Sequence, residues 1–322
     1  MRNSEIKNIE HSVHQRLLNR ARKQGRPFME LLQYYTMERF LYKLSVSKFR
    51  NSFVLKGALL FFVWEEPGLR PTRDIDLLGL TSNSVDNVVR IVKEICRTDV
   101  AQDGITFDES TVTGDRITEG ADYEGVRVIL RGNLGKTRIR LQLDVGFGDV
   151  IVPGAENIQY ASILGFPEPI LLGYSRESTI AEKFEAMVKL GVISSRMKDF
   201  YDIWLLSNHF DFSGTILSEA ISKTFNKRRT ELPSNIDEFI RELKSDPAKD
   251  RQWKGFIRKN KLEDAPSELD DVLDAILSFL SSPVKKLTEG QAWKSEWKKS
   301  GPWTELRASH LNGHTWDEIG TK

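Results

Sequence analysis

The sequence predicts an α+β fold in which a small mixed or antiparallel sheet is flanked by helices and followed by a mostly helical C-terminal domain. Three observations lead to this prediction. Apolar residues recur at helical spacing over residues 6–46, alternate with polar residues over 138–145, and return to helical spacing beyond about residue 212. We therefore divide the chain into residues 1–175, with N-terminal helices and the sheet, and residues 176–322.

Two or three helices are predicted at the start of the chain, because the helical pattern breaks at Gly25-Arg26-Pro27. Residues 53–60 are predicted to be a strand end or turn that feeds a short helix, with Gly57 allowing a close backbone approach. A loop marked by prolines follows. Residues 74–80 then form a strand, and residues 84–96 form a helix opened by polar capping residues.

A hairpin and two helices come next. After an irregular stretch, residues 126–130 and 138–145 form the strands of the hairpin. Side chains alternate in the second strand, with Ile139, Leu141, Leu143 and Val145 on one face and Arg138, Arg140, Gln142 and Asp144 on the other. Residues 178–190 and 198–206 are predicted to be helical.

The region beyond about residue 212 has helical periodicity over residues 236–243, 253–258 and 269–280. We expect no chemistry-rich cluster there. The last thirty residues place Trp293, Trp297 and Trp303 among lysines, so they form either an arm or a packed extension.

The composition is that of an ordinary soluble protein of 322 residues. Its apolar runs are much shorter than the roughly 18 residues of a membrane span, and the chain begins with charged residues rather than a signal peptide. We therefore expect a cytoplasmic protein without a membrane partner. The single cysteine, Cys96, excludes an intramolecular disulfide framework and a cysteine-rich zinc site, and we expect it to be buried.

The net charge of +1 conceals an uneven distribution. Residues 1–56 contain twelve Lys or Arg and four Asp or Glu, which gives this segment +8 and the remainder −7. This segment therefore forms either a basic face that attracts an anionic partner or an ordinary solvated helix surface.

Two aspartates one residue apart carry the clearest chemical signal. Asp74 and Asp76 lie on a predicted strand, so both carboxylates leave the same face about 6.6 Å apart. Asp144 lies on the polar face of a later strand, and three carboxylates converge if the two strands pair. Carboxylate oxygens suit Mg²⁺ or Mn²⁺, which can assist phosphoryl displacement. Without a third ligand, such a pair is more often a loop or a solvated strand end.

A second charged group consists of Lys183 and Lys189 on the first central helix and of Arg196, Lys198, Asp199 and Asp202 just after it. Lys183 borders the apolar side of its helix, where a lysine is costly without an anionic partner. That partner is either a triphosphate or a carboxylate of Asp199 or Asp202. Both aspartates also suit the start of a helix simply as capping residues.

Several motifs in this order resemble the AbiEii/MenT nucleotidyltransferases, which are toxins of AbiE-like toxin–antitoxin systems in the DNA polymerase beta superfamily. The matching segments are Val54-Leu55-Lys56-Gly57-Ala58-Leu59, Arg70-Pro71-Thr72-Arg73-Asp74-Ile75-Asp76-Leu77, Leu143-Asp144-Val145-Gly146-Phe147-Gly148-Asp149, Ala181-Glu182-Lys183-Phe184 and Arg196-Met197-Lys198-Asp199-Phe200-Tyr201-Asp202. Arg229-Thr230-Glu231-Leu232-Pro233 and Gln252-Trp253 extend the resemblance over most of the chain.

The resemblance implies a role for each matching position. Metal binding falls to Asp74, Asp76 and Asp144, and Asp144 would also orient or deprotonate the attacking hydroxyl. Lys183, at the nucleotide phosphates, and Asp199 complete the catalytic set. The substrate-binding residues are Lys56, Gly57, Thr72, Arg73, Lys183, Arg196 and Asp202. Gly57 holds the place of a glycine motif that binds the triphosphate, but Ala58 stands where the family has a second small polar residue.

The resemblance also implies a nucleotidyltransferase sheet and a toxin activity. The enzyme would use Mg²⁺ (or Mn²⁺) to transfer a nucleoside monophosphate from an NTP to an acceptor, with the tRNA 3′ end as the leading choice, and a cognate antitoxin would be its protein partner. Two alternatives stay open: a non-catalytic nucleotide- or partner-binding module, which Ala58 favours, and a small-molecule nucleotidyltransferase. A nuclease would have no evident use for Lys183 and the glycine segment.

Overall fold

The chain begins with two helices that break where the sequence predicts. In the computed structural model, which describes residues 8–64, 70–119, 123–291 and 293–306, α1 (Ile9–Gln24) ends before Gly25, and α2 (Phe28–Val46) follows Pro27. Gly25 has a φ of 63°, a left-handed conformation that glycine adopts at low cost. The side chain of Asn8 caps α1 by accepting a hydrogen bond from the His11 N–H at 2.9 Å.

A mixed sheet follows, which confirms the predicted fold class. In the described residues its seven strands are β1 (Phe53–Lys56), β2 (Asp74–Gly79), β3 (Ile105–Glu119), β4 (Tyr123–Leu134), β5 (Thr137–Phe147), β6 (Glu156–Gln159) and β7 (Ile170–Gly173). Their spatial order is β3-β4-β5-β2-β1-β7-β6. The β2–β5 and β1–β7 pairs are parallel, and the other neighbours are antiparallel. This order places β2 at the centre of the sheet.

One face of the sheet is covered by α2 and α4 (Val85–Arg97), and together they form a hydrophobic core. The alternation predicted for β5 is confirmed, because its apolar side chains are buried whereas Arg138 and Arg140 are exposed. Cys96 in α4 is buried as expected, and burial raises the pKa of its thiol to about 12. Such a thiol stays protonated and is a poor nucleophile.

The irregular stretch predicted after α4 is wrong, because much of it is the long strand β3. Its pairing with β4 shifts register between Asp108 and Thr113. This irregularity interrupts the two-residue alternation that identifies a strand in a sequence. Strand β4 is also longer than predicted, so the hairpin to β5 turns on Gly135 and Lys136 alone.

The prediction for residues 53–60 is confirmed. Strand β1 leads into a short 3₁₀ turn over residues 57–59 and then into α3 (Leu60–Val63). This places Gly57 at the edge where the sheet meets the C-terminal half.

The C-terminal half is mostly helical, as predicted. Its helices in the described residues are α5 (Arg176–Leu190), α6 (Met197–His209), α7 (Gly214–Arg228), α8 (Ile236–Ser245), α9 (Pro247–Asn260) and α10 (Leu269–Thr288). They share a second hydrophobic core that includes Phe184, Phe225 and Trp253. Among the described residues, none of these helices or those before them is long and apolar enough to cross a membrane. The domain boundary at residue 175 stays a prediction.

A small sheet closes the described part of the chain, and the sequence did not predict it. Strand β9 (Ser295–Trp297) lies between β8 (Phe212–Ser213) and β10 (Trp303–Glu305). Trp297 is buried, and its Nε1 donates to the carbonyl oxygen of Ser207 at 2.7 Å. Of the two alternatives for this region, residues 293–306 are therefore a packed extension, whereas residues 307–322 lie outside the described residues.

Candidate active site

The two predicted carboxylate strands are neighbours in the sheet. Strand β2 pairs in parallel with β5, and this register places Asp76 opposite Asp144 and Asp74 opposite Gln142. Directly opposite residues share a face of a sheet, as do residues two apart in one strand. Asp74, Asp76 and Asp144 therefore lie on one face, which is the condition that the sequence left open.

Asp144 has an arginine partner on the next strand. Arg127 of β4 lies opposite Asp144 and donates from Nε to Oδ1 at 2.8 Å and from Nη2 to Oδ2 at 2.7 Å. The amide of Gln142 also donates to both oxygens, at 3.3 and 3.2 Å. These contacts fix the orientation of the Asp144 carboxylate.

The carboxylate face suits a divalent cation by its chemistry. Burial, followed by the negative charge of Asp144, raises the pKa of Asp74, so a cation bound there would relieve the repulsion. The donors are carboxylate oxygens, which Mg²⁺ and Mn²⁺ prefer. Within the described part of the chain, however, no three Asp, Glu, His or Cys side chains are already arranged as a metal site. The metal role of Asp74, Asp76 and Asp144 stays a prediction that their placement on one face supports.

Gly57, which directly follows β1, packs against this face. Its φ is 73°, and a Cβ added there would lie 2.2 Å from Oδ2 of Asp76. No other residue fits this position without moving Asp76. The neighbouring Ala58 is buried with the C-terminal core, and it has no hydroxyl to offer a phosphate.

A cleft opens beside Asp76 between the sheet and the C-terminal helices. It brings together six of the predicted site residues: Lys56, Gly57, Asp76, Lys183, Arg196 and Asp199. The described residues that also line it are Ala58, Arg70, Tyr174, Thr179, Glu182, Ala186, Lys198 and Arg228. The lining therefore combines six basic side chains with three acidic ones, an arrangement suited to a polyanion that brings its own cation.

Lys183 has both of the carboxylate partners considered from the sequence. Its Nζ lies 3.4 Å from Asp199 Oδ1 and 2.5 Å from Asp202 Oδ2. Arg70 forms a second, two-pronged contact with Asp202 at 2.8 and 2.7 Å. Burial by itself would raise the pKa of Asp202, but Arg70 and Lys183 outweigh burial and lower it to about 2. Asp202 thus lies beneath the cleft and holds two of its cations.

Arg196 and Lys198 stand at the start of α6, beside Asp199. Arg196 donates from Nε to Asp199 Oδ2 at 2.7 Å. Desolvation lowers the pKa of Lys198, and although Asp199 opposes this effect, Arg196 and Lys183 lower it further. Cationic charge is therefore crowded here, and an anion in the cleft would stabilise it.

Lys56 belongs to a second buried ionic cluster. Its Nζ contacts Asp149 Oδ2 at 2.8 Å and Glu182 Oε2 at 3.0 Å. Arg228, at the end of α7, contacts the same two carboxylates at 3.0 and 3.3 Å and Glu185 at 2.9 Å. The region beyond about residue 212 thus contributes one side chain, Arg228, to a cleft whose other lining residues in the described chain precede it.

Thr72 and Arg73 are not brought into the cleft. The Thr72 N–H donates to Tyr34 Oη at 3.1 Å, and its hydroxyl donates to the carbonyl oxygen of Asp74 at 3.4 Å. Arg73 is exposed and precedes Asp74 by one residue, so strand alternation directs it away from the carboxylate face. Their substrate-binding roles stay predictions without support from this geometry.

Five residues of the site were not predicted as site residues from the sequence: Arg70, Arg127, Asp149, Glu182 and Arg228. Arg127 alternates with buried Val126 and Val128, so the strand pattern could have assigned it to the polar face but not to Asp144, because the register was not known. Arg228 lies at the polar end of a helix and has no local signal, because its partners come from distant parts of the chain.

The chain is similar to proteins of one known family. A model of the family described as nucleotidyl transferase AbiEii toxin, type IV toxin–antitoxin system, matches residues 39–275. No curated protein matches the chain.

Two solved structures are similar over most of their length. JHP933 from Helicobacter pylori is 16% identical, with 81% of this chain and 94% of that chain covered at a TM-score of 0.44. MenT4, a nucleotidyltransferase toxin from Mycobacterium tuberculosis, is 19% identical, with 88% and 99% covered at a TM-score of 0.47. Because the family match spans well over half of the sequence, the chain belongs to the AbiEii family of nucleotidyltransferase toxins.

Proposed function

We propose that this nucleotidyltransferase is Mg²⁺-dependent and transfers a nucleoside monophosphate from an NTP to the 3′ end of a tRNA, with release of pyrophosphate. The observation that carries the proposal is the register of β2 and β5. It places Asp74, Asp76 and Asp144 on one face, next to a cleft lined by basic side chains. Proteins that transfer phosphoryl groups rely mainly on such positioning and charge stabilisation.

The carboxylate face would hold the metal. Asp74 and Asp76 are the proposed ligands, with Asp144 as the third. A bound Mg²⁺ would supply charge neutralisation at the reacting phosphate and at the departing pyrophosphate. Asp144 would orient the acceptor hydroxyl and accept its proton, because it lies beside Asp76 and is held in place by Arg127.

The basic side chains of the cleft would bind the triphosphate. Lys183, Arg196 and Lys198 come from α5 and α6, which face the carboxylates across the cleft. Asp199 and Asp202 hold Lys183 within hydrogen-bonding distance, so this lysine is oriented before a substrate arrives. Gly57 leaves room for a phosphate to approach the backbone near Asp76.

An RNA acceptor is supported in part by the basic start of the chain. Exposed cations on α1 are Arg16, Arg20, Arg22 and Lys23. Arg39 and Lys43, by contrast, are buried, so only part of the +8 charge of residues 1–56 faces solvent. Neutralisation of phosphates by such exposed residues gives affinity that does not depend on sequence.

Labelling tests the proposed reaction. The protein is incubated with Mg²⁺, total tRNA and each of the four α-³²P-labelled NTPs. We expect label in RNA, its loss on chelation of the metal, and its loss in Asp76→Asn, which preserves the size of the side chain. Asp270→Asn, at an exposed position on α10, is the matched control and should label normally. The absence of label in any RNA, protein or small acceptor would contradict the proposal.

The same assay separates the alternatives. Ala58 favours a module that binds nucleotides without transferring them, and such a module would bind NTP but label nothing. A small-molecule nucleotidyltransferase would label a hydroxylated metabolite instead of RNA. Family membership also implies an antitoxin partner, so expression in the cytoplasm of a host should arrest growth until a cognate antitoxin is co-expressed.

A further inference from the structure

The face of β4 and β5 that carries Asp144 is open beyond the carboxylates. Among the described residues, α1, α2 and α4 pack against the apolar face of these two strands. On the opposite face Arg138 and Arg140 are exposed, and Arg127 and Arg131 have 39% and 37% of their side-chain surfaces accessible. Within the described ranges, this face of the sheet is thus exposed next to the candidate active site.

Strand register gathers these four arginines, which we call the arginine row (Arg127, Arg131, Arg138 and Arg140). Arg131 lies opposite Arg140, Arg127 lies opposite Asp144, and Arg138 is two residues before Arg140 on β5. The row therefore starts at Asp144 and runs along β5 for roughly 20 Å, at about 3.3 Å per residue.

The row has an excess of positive charge away from the carboxylates. Arg131 is paired with Asp108 of β3, and Arg127 is paired with Asp144. Asp115 lies opposite Arg127 at the outer edge of the sheet. Arg138 and Arg140 have no carboxylate within ion-pair distance in the part of the chain that the structure describes. Neither arginine forms a direct ion pair with a described residue, although Arg140 is close enough to Asp74 to interact with its charge. Exposed guanidinium groups held on a rigid strand are suited to phosphate groups, which guanidinium binds in a two-pronged geometry.

In the proposed reaction, the NTP and the acceptor would approach Asp144 from different sides. The cleft lies between Asp76 and helices α5 and α6, and in the proposed reaction it holds the NTP. The acceptor hydroxyl must reach Asp144 at the same time, so it needs a separate approach. The open face of β5 and β4 provides one, and it is lined by cations along its length.

We infer that the arginine row binds the phosphate backbone of the RNA acceptor strand and leads its 3′ end to Asp144. This inference rests on the proposed function and names the path that the acceptor takes. A small hydroxylated acceptor would have no need of charges that extend roughly 20 Å from the reacting group.

Paired variants test the row. Arg138→Ala/Arg140→Ala is compared with Arg251→Ala/Arg258→Ala, which removes two exposed arginines from α9. Because all four side chains are exposed, both variants should keep the wild-type melting temperature; Arg138→Gln/Arg140→Gln serves as a second, polar version. We expect the row variants to raise the KM for tRNA about tenfold or more and to leave the KM for NTP unchanged. The α9 variant should match wild type in both.

Binding of tRNA without NTP gives an independent reading. The slope of log K against log salt should fall by about 1.4 in the row variants, at about 0.7 for each lost phosphate contact on a single strand. Equal slopes and equal KM values in the row and α9 variants would overturn the inference while leaving the proposed function intact. If the wild-type protein binds RNA but does not label it, and the row variants still lower the salt slope of that binding, the proposed reaction is wrong and the assignment of the arginine row is supported. Absence of RNA binding overturns both.

Discussion

Gly57 brings the backbone into close contact with Asp76 on the carboxylate face. Replacement by alanine would put a Cβ 2.2 Å from Asp76 Oδ2 at a φ of 73°. A left-handed conformation costs a non-glycine residue about 1–2 kcal/mol, and Asp76 must also move. We expect Gly57→Ala to lower nucleotidyl transfer about 100-fold, since a displacement near 1 Å can have that effect.

Gly255→Ala is the control for this substitution. Gly255 lies within α9, and a Cβ there meets no atom within 4 Å. It should raise the free energy of unfolding by about 0.5–1 kcal/mol and leave the transfer rate unchanged. Equal activity in Gly57→Ala and wild type would show that the contact with Asp76 does not position the carboxylate.

Asp202 links the cleft to stability at low pH. Arg70 and Lys183 lower its pKa from 3.8 to about 2 against the effect of burial, so its carboxylate stabilises the fold above pH 4. That stabilisation, about 2.5 kcal/mol, is lost progressively as the pH falls from about 5 to 1, because the unfolded chain takes up the proton at a higher pH than the folded chain does. Asp202→Asn removes it at every pH.

We therefore expect Asp202→Asn to lower the free energy of unfolding by about 3–5 kcal/mol at neutral pH, because two buried cations lose their partner. The difference from wild type should shrink by about 2 kcal/mol between pH 5 and pH 2 in denaturant titrations. Asp264→Asn, at an exposed turn, should stay within about 0.5 kcal/mol of wild type. A difference that does not change with pH would contradict the role given to the Asp202 charge.

At the scale of elements, α7 ends in the cleft. Arg228 contacts Asp149, Glu182 and Glu185 there, whereas Lys223 on the same helix forms an exposed pair with Glu219. Loss of one member of a buried ionic cluster leaves unpaired charge, so Arg228→Met should lower the free energy of unfolding by about 3–5 kcal/mol. Lys223→Ala should change it by less than about 0.5 kcal/mol, as for other exposed pairs. Similar losses in both variants, measured by urea unfolding, would rule out a special role for the cluster.

Element periodicity explains what the sequence could predict. Strand β5 was recognisable because its buried and exposed residues alternate without interruption. Strand β3 was not, because the register shift between Asp108 and Thr113 breaks the alternation. The same limit applies to the site. Asp144 could be assigned to a face of its strand from local periodicity. Arg228 and the partners of Lys56 could not, because they come from distant segments and meet only through tertiary packing.

At the scale of the molecule, two hydrophobic cores meet at the cleft. One joins the sheet to α2 and α4, and the other joins the C-terminal helices. Lys56 and Asp149 lie in the sheet half, and Glu182 and Arg228 in the helical half, so the ionic cluster crosses between them. Burial makes such a cluster costly to separate, because each half would keep unpaired charges.

The two halves should therefore unfold together. Five of the seven tryptophans lie between residues 204 and 303, so fluorescence reports mainly the helical half, whereas far-UV circular dichroism reports both. We expect the two signals to give coincident urea transitions in wild type and separate transitions in Arg228→Met. Separate transitions already in wild type would show that the cluster does not couple the cores.

The ionic cluster joins residues that a ribosome synthesises at different times. Lys56 and Glu182 contact each other across 126 residues, and at about 5–20 residues per second a ribosome needs roughly 6–25 s to synthesise that separation. By the end of this interval the carboxylate strands β2 and β5 have been synthesised, but Lys183, Arg196 and Arg228 have not. A chain that ends before residue 228 thus lacks part of the basic lining of the cleft, and we expect it to be inactive.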